Sequence, residues 1–227
     1  MTGRVQPLCF VMVIGVLLLA GCTPSDSDEG SQAPVPPDQQ RADLLRQLNR
    51  KFENPKAHSE LGQFYLEQGR LDDAEFHYKT ALSFDPMFWS ARAGMVKVLE
   101  AKGLTAEARQ TAELYINEVG ASAGRSLKLG RAFQNKQLDG YALACYQQAL
   151  RLEPDSAAVY KQLGYFYLGG DDEVRAQEYF RRSFELDWNQ PDVAYELGRM
   201  GTHIEVQRKS EQLSEAGAGE SETKTQK

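Results

Sequence analysis

The sequence has little of what disulfide-rich proteins, metal sites, enzymes or nucleic-acid-binding surfaces require. Its 227 residues include only three cysteines and three histidines, and no C-x-x-C or H-E-x-x-H spacing occurs. Lys and Arg total 26 against 32 Asp and Glu, whereas a nucleic-acid-binding protein should carry a basic excess. Phosphate-binding glycine loops, dinucleotide fingerprints and nucleophile motifs are also missing. We therefore expect no enzyme, no cofactor, no metal and no small-molecule substrate.

The few cysteines and histidines have structural explanations. Cys9 and Cys22 belong to the N-terminal segment, so Cys145 has no partner and is predicted to be a buried or half-buried structural thiol. His58 and His77 fall on predicted helix faces far apart in sequence, so we expect packed or solvated histidines rather than metal ligands.

A short apolar run, Leu8 to Ala20, opens the chain after Arg4. A bilayer crossing needs roughly 20 apolar residues, so this shorter run predicts a signal peptide over 1–21. Leu19-Ala20-Gly21-Cys22 resembles the lipobox of bacterial lipoproteins, which implies cleavage before Cys22 and its acylation, palmitate included. More than one lipid chain gives a stable membrane anchor. In lipoproteins of enteric bacteria an Asp after the acylated cysteine marks retention at the inner membrane. By analogy, Thr23 at that position favours the periplasmic face of the outer membrane over the inner membrane. An ordinary secretory signal or a short membrane anchor is the alternative.

Two segments lack the apolar pattern of a folded domain. Residues 23–39 hold four acids, four prolines and no base, so 22–39 are predicted to be the acylated cysteine and a disordered linker. Residues 209–227 hold four acids, three bases and one large apolar residue, which predicts a disordered tail. The region between them is close to neutral.

The region between these segments repeats with a period of 34 residues. Glycine occurs at Gly62, Gly130, Gly164 and Gly198, with Val96 at the skipped position; alanine occurs at Ala74, Ala108, Ala142 and Ala176; and large apolar residues recur at Leu61, Met95, Leu129, Leu163 and Leu197. An aromatic column holds Tyr78, Tyr146 and Phe180, and Ala112 departs from it. The spacing within each unit predicts two amphipathic antiparallel helices too small to bury their own apolar face.

This pattern resembles the tetratricopeptide repeat (TPR). The resemblance implies an all-α fold: a right-handed TPR solenoid of about four helix-turn-helix units plus a C-terminal capping helix. The expected boundaries are an N-terminal capping helix over 40–54, then units 1 to 4 over 55–88, 89–122, 123–156 and 157–190, and the capping helix over 191–208. Unit 2 is the most divergent, and its larger Val96 with the smaller Ala112 suggests an exchange of size within one unit.

The family resemblance also implies where a ligand would bind. In TPR proteins the first helices line a concave groove that holds peptides. The residues expected on that face are Gln63, Lys97, Lys128, Arg131, Lys161, Tyr165, Tyr195 and Arg199. Cationic groups among aromatic rings suit a partly apolar peptide with an acidic segment. The alternative is that these are ordinary solvated helix residues.

Together these features predict a lipid-anchored scaffold or adaptor of the bacterial cell envelope that binds a protein or peptide partner. Known TPR lipoproteins serve in type IV pilus secretin assembly and in the regulation of peptidoglycan hydrolases. Two alternatives remain open. One is a non-catalytic repeat subunit of an envelope enzyme system, such as a cell-wall hydrolase, glycosyltransferase or protease complex; the other is a structural spacer without a specific ligand.

Overall fold

A computed structural model describes residues 37–202, which form ten α-helices and contain no β-strand. The helices are α1 (Pro37–Arg50), α2 (Pro55–Glu67), α3 (Leu71–Phe84), α4 (Trp89–Ala101), α5 (Thr105–Val119), α6 (Ala123–Asn135), α7 (Asp139–Leu152), α8 (Ala157–Gly169), α9 (Glu173–Leu186) and α10 (Pro191–Arg199). Four helix pairs, α2–α3 to α8–α9, are the predicted units 1 to 4, and the first helices start 34 residues apart. The all-α TPR solenoid predicted from the repeat is confirmed.

A left-handed backbone position turns the chain between the two helices of every unit. Gly69 and Gly103 hold φ angles of 71° and 78° in units 1 and 2. Gln137 and Asp171 take the same repeat position with φ of 57° and 58°, although they are not glycine. The amide of the next residue donates to a carbonyl five residues back, as Arg70 does to Tyr65 at 2.9 Å. This bond satisfies an end carbonyl of the first helix and reverses the chain.

The repeated glycines let an aromatic ring of the second helix reach the backbone of the first. A Cβ added at Gly62, Gly130 or Gly164 would lie 2.9, 2.6 or 2.5 Å from the facing ring. Those rings belong to Tyr78, Tyr146 and Phe180, and all three side chains are fully buried. The glycine column therefore lets the two helices of a unit approach each other closely.

Unit 2 uses its glycine differently. Val96 and Ala112, at the positions of the glycine and the aromatic ring, are both fully buried. The glycine of α4 is Gly94, two residues earlier, and a Cβ added there would lie 2.3 Å from Tyr78 of unit 1. The Tyr78 ring thus lies between Gly62 and Gly94 and joins the two units.

Single helices cover both ends of the described array. At the front, α1 packs on α2 and buries Leu44 and Leu48; it begins at Pro37 and ends at Arg50, four residues before the predicted boundary. At the back, α10 packs on α9 and buries Val193 and Leu197. The predicted signal peptide, Cys22, the linker up to residue 36 and the chain beyond residue 202 lie outside the described residues. Within 37–202 none of the helices is both long and apolar enough to cross a membrane.

Candidate peptide-binding face

The first helices of successive units contact one another, α2 with α4, α4 with α6, and α6 with α8. They form one continuous layer, which we call the first-helix face. The predicted ligand-binding residues lie on these helices and on α10. Lys128, Arg131, Tyr195 and Arg199 are exposed, whereas Gln63, Lys97, Lys161 and Tyr165 are half-buried.

An open pocket of about 650 Å³ lies between α6 and the junction of units 1 and 2. We call it the basic pocket. Its lining residues are Asp85, Met87, Phe88, Trp89, Ser90, Lys128, Arg131, Ala132, Asn135 and Lys136. The α6 side supplies three cations and an amide, and the junction of units 1 and 2 supplies three half-buried apolar side chains. Cations and apolar rings therefore line opposite walls of one pocket.

The charge of this pocket is largely uncompensated. Among residues 37–202, Lys128 and Arg131 form no ion pair. The lining acid is Asp85, whose carboxylate accepts the Met87 amide at 2.9 Å and so caps the local turn. The pocket therefore offers an anion two cationic side chains that pair with no carboxylate of residues 37–202.

Lys136 follows the end of α6 and reaches back to unit 1. Its ammonium donates to Oε1 of Gln63, which also accepts the hydroxyl of Tyr78 at 3.2 Å. The Lys136 nitrogen lies 5.8 Å from the centre of the Tyr78 ring. Burial lowers the pKa of Lys136 from its ordinary value, because the charged form loses hydration. Gln63 is therefore engaged within the protein and ties α2 to α6.

A second open pocket, of about 540 Å³, continues along the face from the basic pocket. The two share Arg131 and Asn135. Here Lys161 pairs with Asp192 of α10 at 3.1 Å, and the Tyr165 hydroxyl donates to the same carboxylate oxygen at 3.3 Å. Burial and the Asp192 charge raise the pKa of Tyr165 to about 12, so its hydroxyl stays protonated. The net charge of the side chains from α8 and α10 in this second pocket is therefore close to zero.

The remaining predicted residues do not converge on either pocket. Arg199 pairs with Glu196 one turn earlier in α10, at 3.0 Å. Tyr195 is exposed on the same helix, and Lys97 lies on α4 without an ion pair among the described residues. The structure thus brings together Lys128 and Arg131 in one pocket and Arg131, Lys161 and Tyr165 in the next.

Several lining residues were not predicted from the sequence. Asn135 could have been found, because Lys128, Arg131 and Asn135 follow the spacing of one helix face. Met87, Phe88 and Trp89 lie at the junction of two units, where helix spacing gives no signal. Asp192 belongs to the capping helix, and its pairing with Lys161 depends on how that helix docks.

The other candidate reactive groups are buried or packed. Cys145 is fully buried and free, and burial raises its pKa to about 12, so it stays a neutral thiol. Nδ1 of His58 and Nδ1 of His77 lie 3.0 Å apart, and His58 Nε2 donates to the Phe52 carbonyl at 3.1 Å. Because a carbonyl only accepts, His58 Nδ1 must accept the Nδ1–H of His77. Within residues 37–202 no group of three side chains could hold a metal ion.

Comparison with known proteins agrees with this architecture. The Tetratricopeptide repeat family model matches residues 55–88, which are unit 1. The Type IV pilus assembly protein PilF of Pseudomonas aeruginosa is 28% identical over 200 residues, covering 84% of this chain and 69% of that protein.

Two other similarities are more distant. Protein O-mannosyl-transferase TMTC3 of Homo sapiens is 26% identical over 157 residues, covering 69% of this chain but only 15% of that protein. Among solved structures, a thermophilic TPR protein of Thermus thermophilus, TTC0263, has 18% identity and a TM-score of 0.41, covering 72% of this chain and 89% of its own.

Proposed function

We propose that this chain is a lipid-anchored TPR adaptor of the bacterial cell envelope that binds an acidic peptide segment of a partner protein in the basic pocket. One observation carries the proposal. Lys128, Arg131 and Lys136 converge on an open pocket beside the apolar Met87–Trp89 segment, although residues 37–202 hold 24 acids against 21 bases. A cluster of cations in a region whose net charge is negative favours an anionic ligand.

The two walls of the pocket fit two parts of such a ligand. The Arg131 guanidinium can bind a carboxylate through two parallel hydrogen bonds, and the Lys128 ammonium adds a second donor. Across the pocket, Phe88 and Trp89 can cover an apolar side chain, and buried aromatic anchors of this kind are among the residues that contribute most to binding. An acidic residue next to an apolar one is therefore the smallest ligand that uses both walls.

The charge difference along the face gives the ligand a direction. The basic pocket holds uncompensated cations, whereas Asp192 neutralises Lys161 in the adjoining pocket. A peptide that lies along both would place its carboxylates beside Lys128 and Arg131. Its uncharged part would lie toward Tyr165, whose protonated hydroxyl is engaged with Asp192.

The N-terminal segment and the relative support a place of action in the cell envelope. Acylation of Cys22 would hold the solenoid at a membrane surface, with Thr23 favouring the outer membrane. The similarity to a type IV pilus assembly protein over 84% of this chain supports a role in assembling an envelope machine of that kind. We therefore propose that the bound partner is another envelope protein.

Site-specific photo-cross-linking in the envelope tests the pocket. A cross-linking residue in place of Asn135 should capture the partner, and Lys128→Glu with Arg131→Glu should abolish the adduct. Arg109→Glu with Arg151→Glu is the matched control, because these exposed arginines lie on second helices and form no ion pair among the described residues. Added salt should also weaken capture, since the ionic contact is partly exposed.

Two results would reject the pocket as the binding site. One is an identical adduct from a cross-linker at Gln147, which is exposed on α7. The other is an adduct that survives charge reversal at Lys128 and Arg131.

The anchor is tested separately: Cys22→Ser should end metabolic labelling with a palmitate analogue, and unchanged labelling would contradict the lipoprotein assignment.

A further inference from the structure

Unit 1 and the segment just before it expose three phenylalanine rings, whereas units 2 to 4 together expose one large aromatic residue, Trp188. Phe52, which follows α1, and Phe76 on α3 are each 59% exposed, and Phe84 at the end of α3 is 38% exposed. The Phe52 and Phe84 rings meet edge to face with centroids 5.9 Å apart. Phe76 and Phe84 lie on one solvent-facing stripe of α3, eight residues and about 12 Å apart. We call these three residues the phenylalanine patch.

The repeat itself provides the comparison that makes the patch unusual. The stripe of α3 that carries it is Phe76-Thr80-Phe84. The same three positions hold Gln110, Leu114 and Glu118 in unit 2, Ala144, Gln148 and Leu152 in unit 3, and Glu178, Arg182 and Leu186 in unit 4. Each later unit thus places at most one large apolar residue there. Single exposed apolar residues are normal on a protein surface, whereas a contiguous aromatic patch marks a contact surface.

The border of the patch beside Phe52 is basic. The acids that flank Phe76 on α3 are each paired with a neighbouring cation, Asp72 and Glu75 with Lys102 and Asp73 with Arg70. The segment from Arg46 to Lys56 carries four bases (Arg46, Arg50, Lys51 and Lys56) and one acid, Glu53, against the acidic balance of residues 37–202 as a whole. Arg50 and Lys51 are exposed beside Phe52 and form no ion pair with any residue from 37 to 202. Phenylalanine rings bordered by lysine and arginine suit the surface of an anionic bilayer.

The position of unit 1 in the chain points to the same surface. Fourteen residues, 23–36, separate Cys22 from the start of α1. A spacer of that length spans about 20 Å, and α1 is itself about 21 Å long. A bilayer that holds the N-terminal segment is therefore within reach of the patch, which lies just beyond the far end of α1.

We propose that the phenylalanine patch docks unit 1 onto the anionic membrane surface. This inference rests on the membrane attachment proposed above, and it adds an orientation to it. The outer face of α3 and the segment after α1 would lie on the lipid headgroups. The first-helix face is built by other helices and stays available to a partner.

Quenching by brominated lipids tests the contact in the full acylated chain. The protein would be reconstituted into vesicles of phosphatidylethanolamine and phosphatidylglycerol with brominated acyl chains, and floated to recover the attached fraction. Phe76→Trp places the probe in the patch, with Phe84→Trp as a second probe. Glu178→Trp is the matched control, because it occupies the same repeat position in unit 4. Wild-type emission from Trp89 and Trp188 is subtracted.

We expect the added emission at positions 76 and 84 to be blue-shifted and quenched, and the emission at position 178 to be unaffected. Arg50→Glu with Lys51→Glu should reduce the quenching at position 76. A chain that floats without quenching at positions 76 and 84, or with equal quenching at position 178, overturns the docking but leaves the anchor standing. Undiminished quenching after charge reversal would overturn the assignment to an anionic surface. A chain that does not float overturns both proposals.

Discussion

Units 2 and 3 are neighbours in the solenoid but fill the contact between their two helices with different residues. In unit 3 the backbone at Gly130 lies against the ring of Tyr146. Unit 2 places Val96 and Ala112 at the same positions, and both are fully buried. A larger residue on the first helix accompanies a smaller one on the second. The repeat therefore preserves how completely the contact is filled, because tight packing allows neither a void nor an overlap.

The glycine of unit 2 shows a second difference. Gly94 receives the ring of Tyr78, which belongs to unit 1, rather than a ring of its own second helix. The same ring also covers Gly62, and its hydroxyl donates to Gln63. The glycine of unit 2 thus contacts a ring of unit 1 and joins the two units, whereas the glycine of unit 3 contacts a ring of its own second helix. A divergent repeat sequence can therefore mark a changed junction between units rather than a damaged unit.

The largest expected effect comes from enlarging the residue at the two compared positions. Gly130→Leu should lower the free energy of unfolding by about 3 kcal/mol or more, because its side chain would collide with Tyr146. Val96→Leu adds one methylene where a large residue is already accommodated and should cost less than about 1.5 kcal/mol. Urea denaturation followed by circular dichroism measures both. Equal costs would mean that the two helix contacts are not filled differently.

The junction between units 1 and 2 provides a second, smaller effect. Gly94→Ala places a Cβ about 2.3 Å from the Tyr78 ring and should destabilise the chain by between about 1 and 3 kcal/mol. In a Tyr78→Ala background the overlap disappears, so the same change should cost much less. A double-mutant cycle should therefore give a coupling of about 1–2 kcal/mol. Additive costs would show that the ring does not lie against Gly94.

Much of the architecture follows from sequence periodicity, because each unit repeats the same two-helix packing. The helix pairs, the exchange of size between Val96 and Ala112 and a buried or half-buried Cys145 were all predicted. The contact between Gly94 and Tyr78 was not predicted, because Tyr78 lies in the preceding unit and the pair does not follow the 34-residue period. The turn residues Gln137 and Asp171 also carry no glycine signal, although they hold the same left-handed angle as Gly69.

The candidate site was less predictable than the fold. Lys128 and Arg131 follow from helix spacing, because a face can be assigned within one helix. Lys136 contacts Gln63 across 73 positions of sequence, and Asp192 reaches Lys161 from the capping helix. Such contacts depend on how the units wind against one another. No pattern within one repeat encodes that winding, so the neutral and basic ends of the face could not be told apart from the sequence.

Units 1 and 4 extend the comparison to a titrating pair. His58 and His77 of unit 1 take the repeat positions of Tyr160 and Tyr179 in unit 4, whose rings also meet, 6.2 Å apart. Burial lowers the pKa of His77 to about 4, with a further decrease from His58 and a small opposing effect of Asp73. Burial likewise lowers the pKa of His58, opposed by its hydrogen bond to Phe52. Folding therefore favours the neutral rings.

Acid should weaken unit 1 through this pair. The folded pKa lies below the ordinary value of 6.5, so the unfolded chain binds more protons between these values. The stability contributed by the neutral pair is full above pH 6.5 and is lost as the pH falls toward 4. We expect a loss on the order of 1–2 kcal/mol, discounted because His77 is partly exposed. His77→Gln should flatten this part of the pH profile of unfolding. An unchanged slope in that variant would assign the acid sensitivity to other groups.

The smallest expected effect distinguishes Gly198 from the other glycines of its column. A Cβ added at Gly62 would lie 2.9 Å from the Tyr78 ring, whereas at Gly198 no atom of the described residues lies within 4 Å. No second helix follows α10 before residue 202, so there is no ring for this glycine to receive. Gly198→Ala should therefore stabilise the chain by about 0.5 kcal/mol, since alanine loses less backbone entropy in a helix. Gly62→Ala should destabilise it. Thermal unfolding of the two variants measures the contrast, and a loss of stability at both positions would show that another segment or a partner covers Gly198.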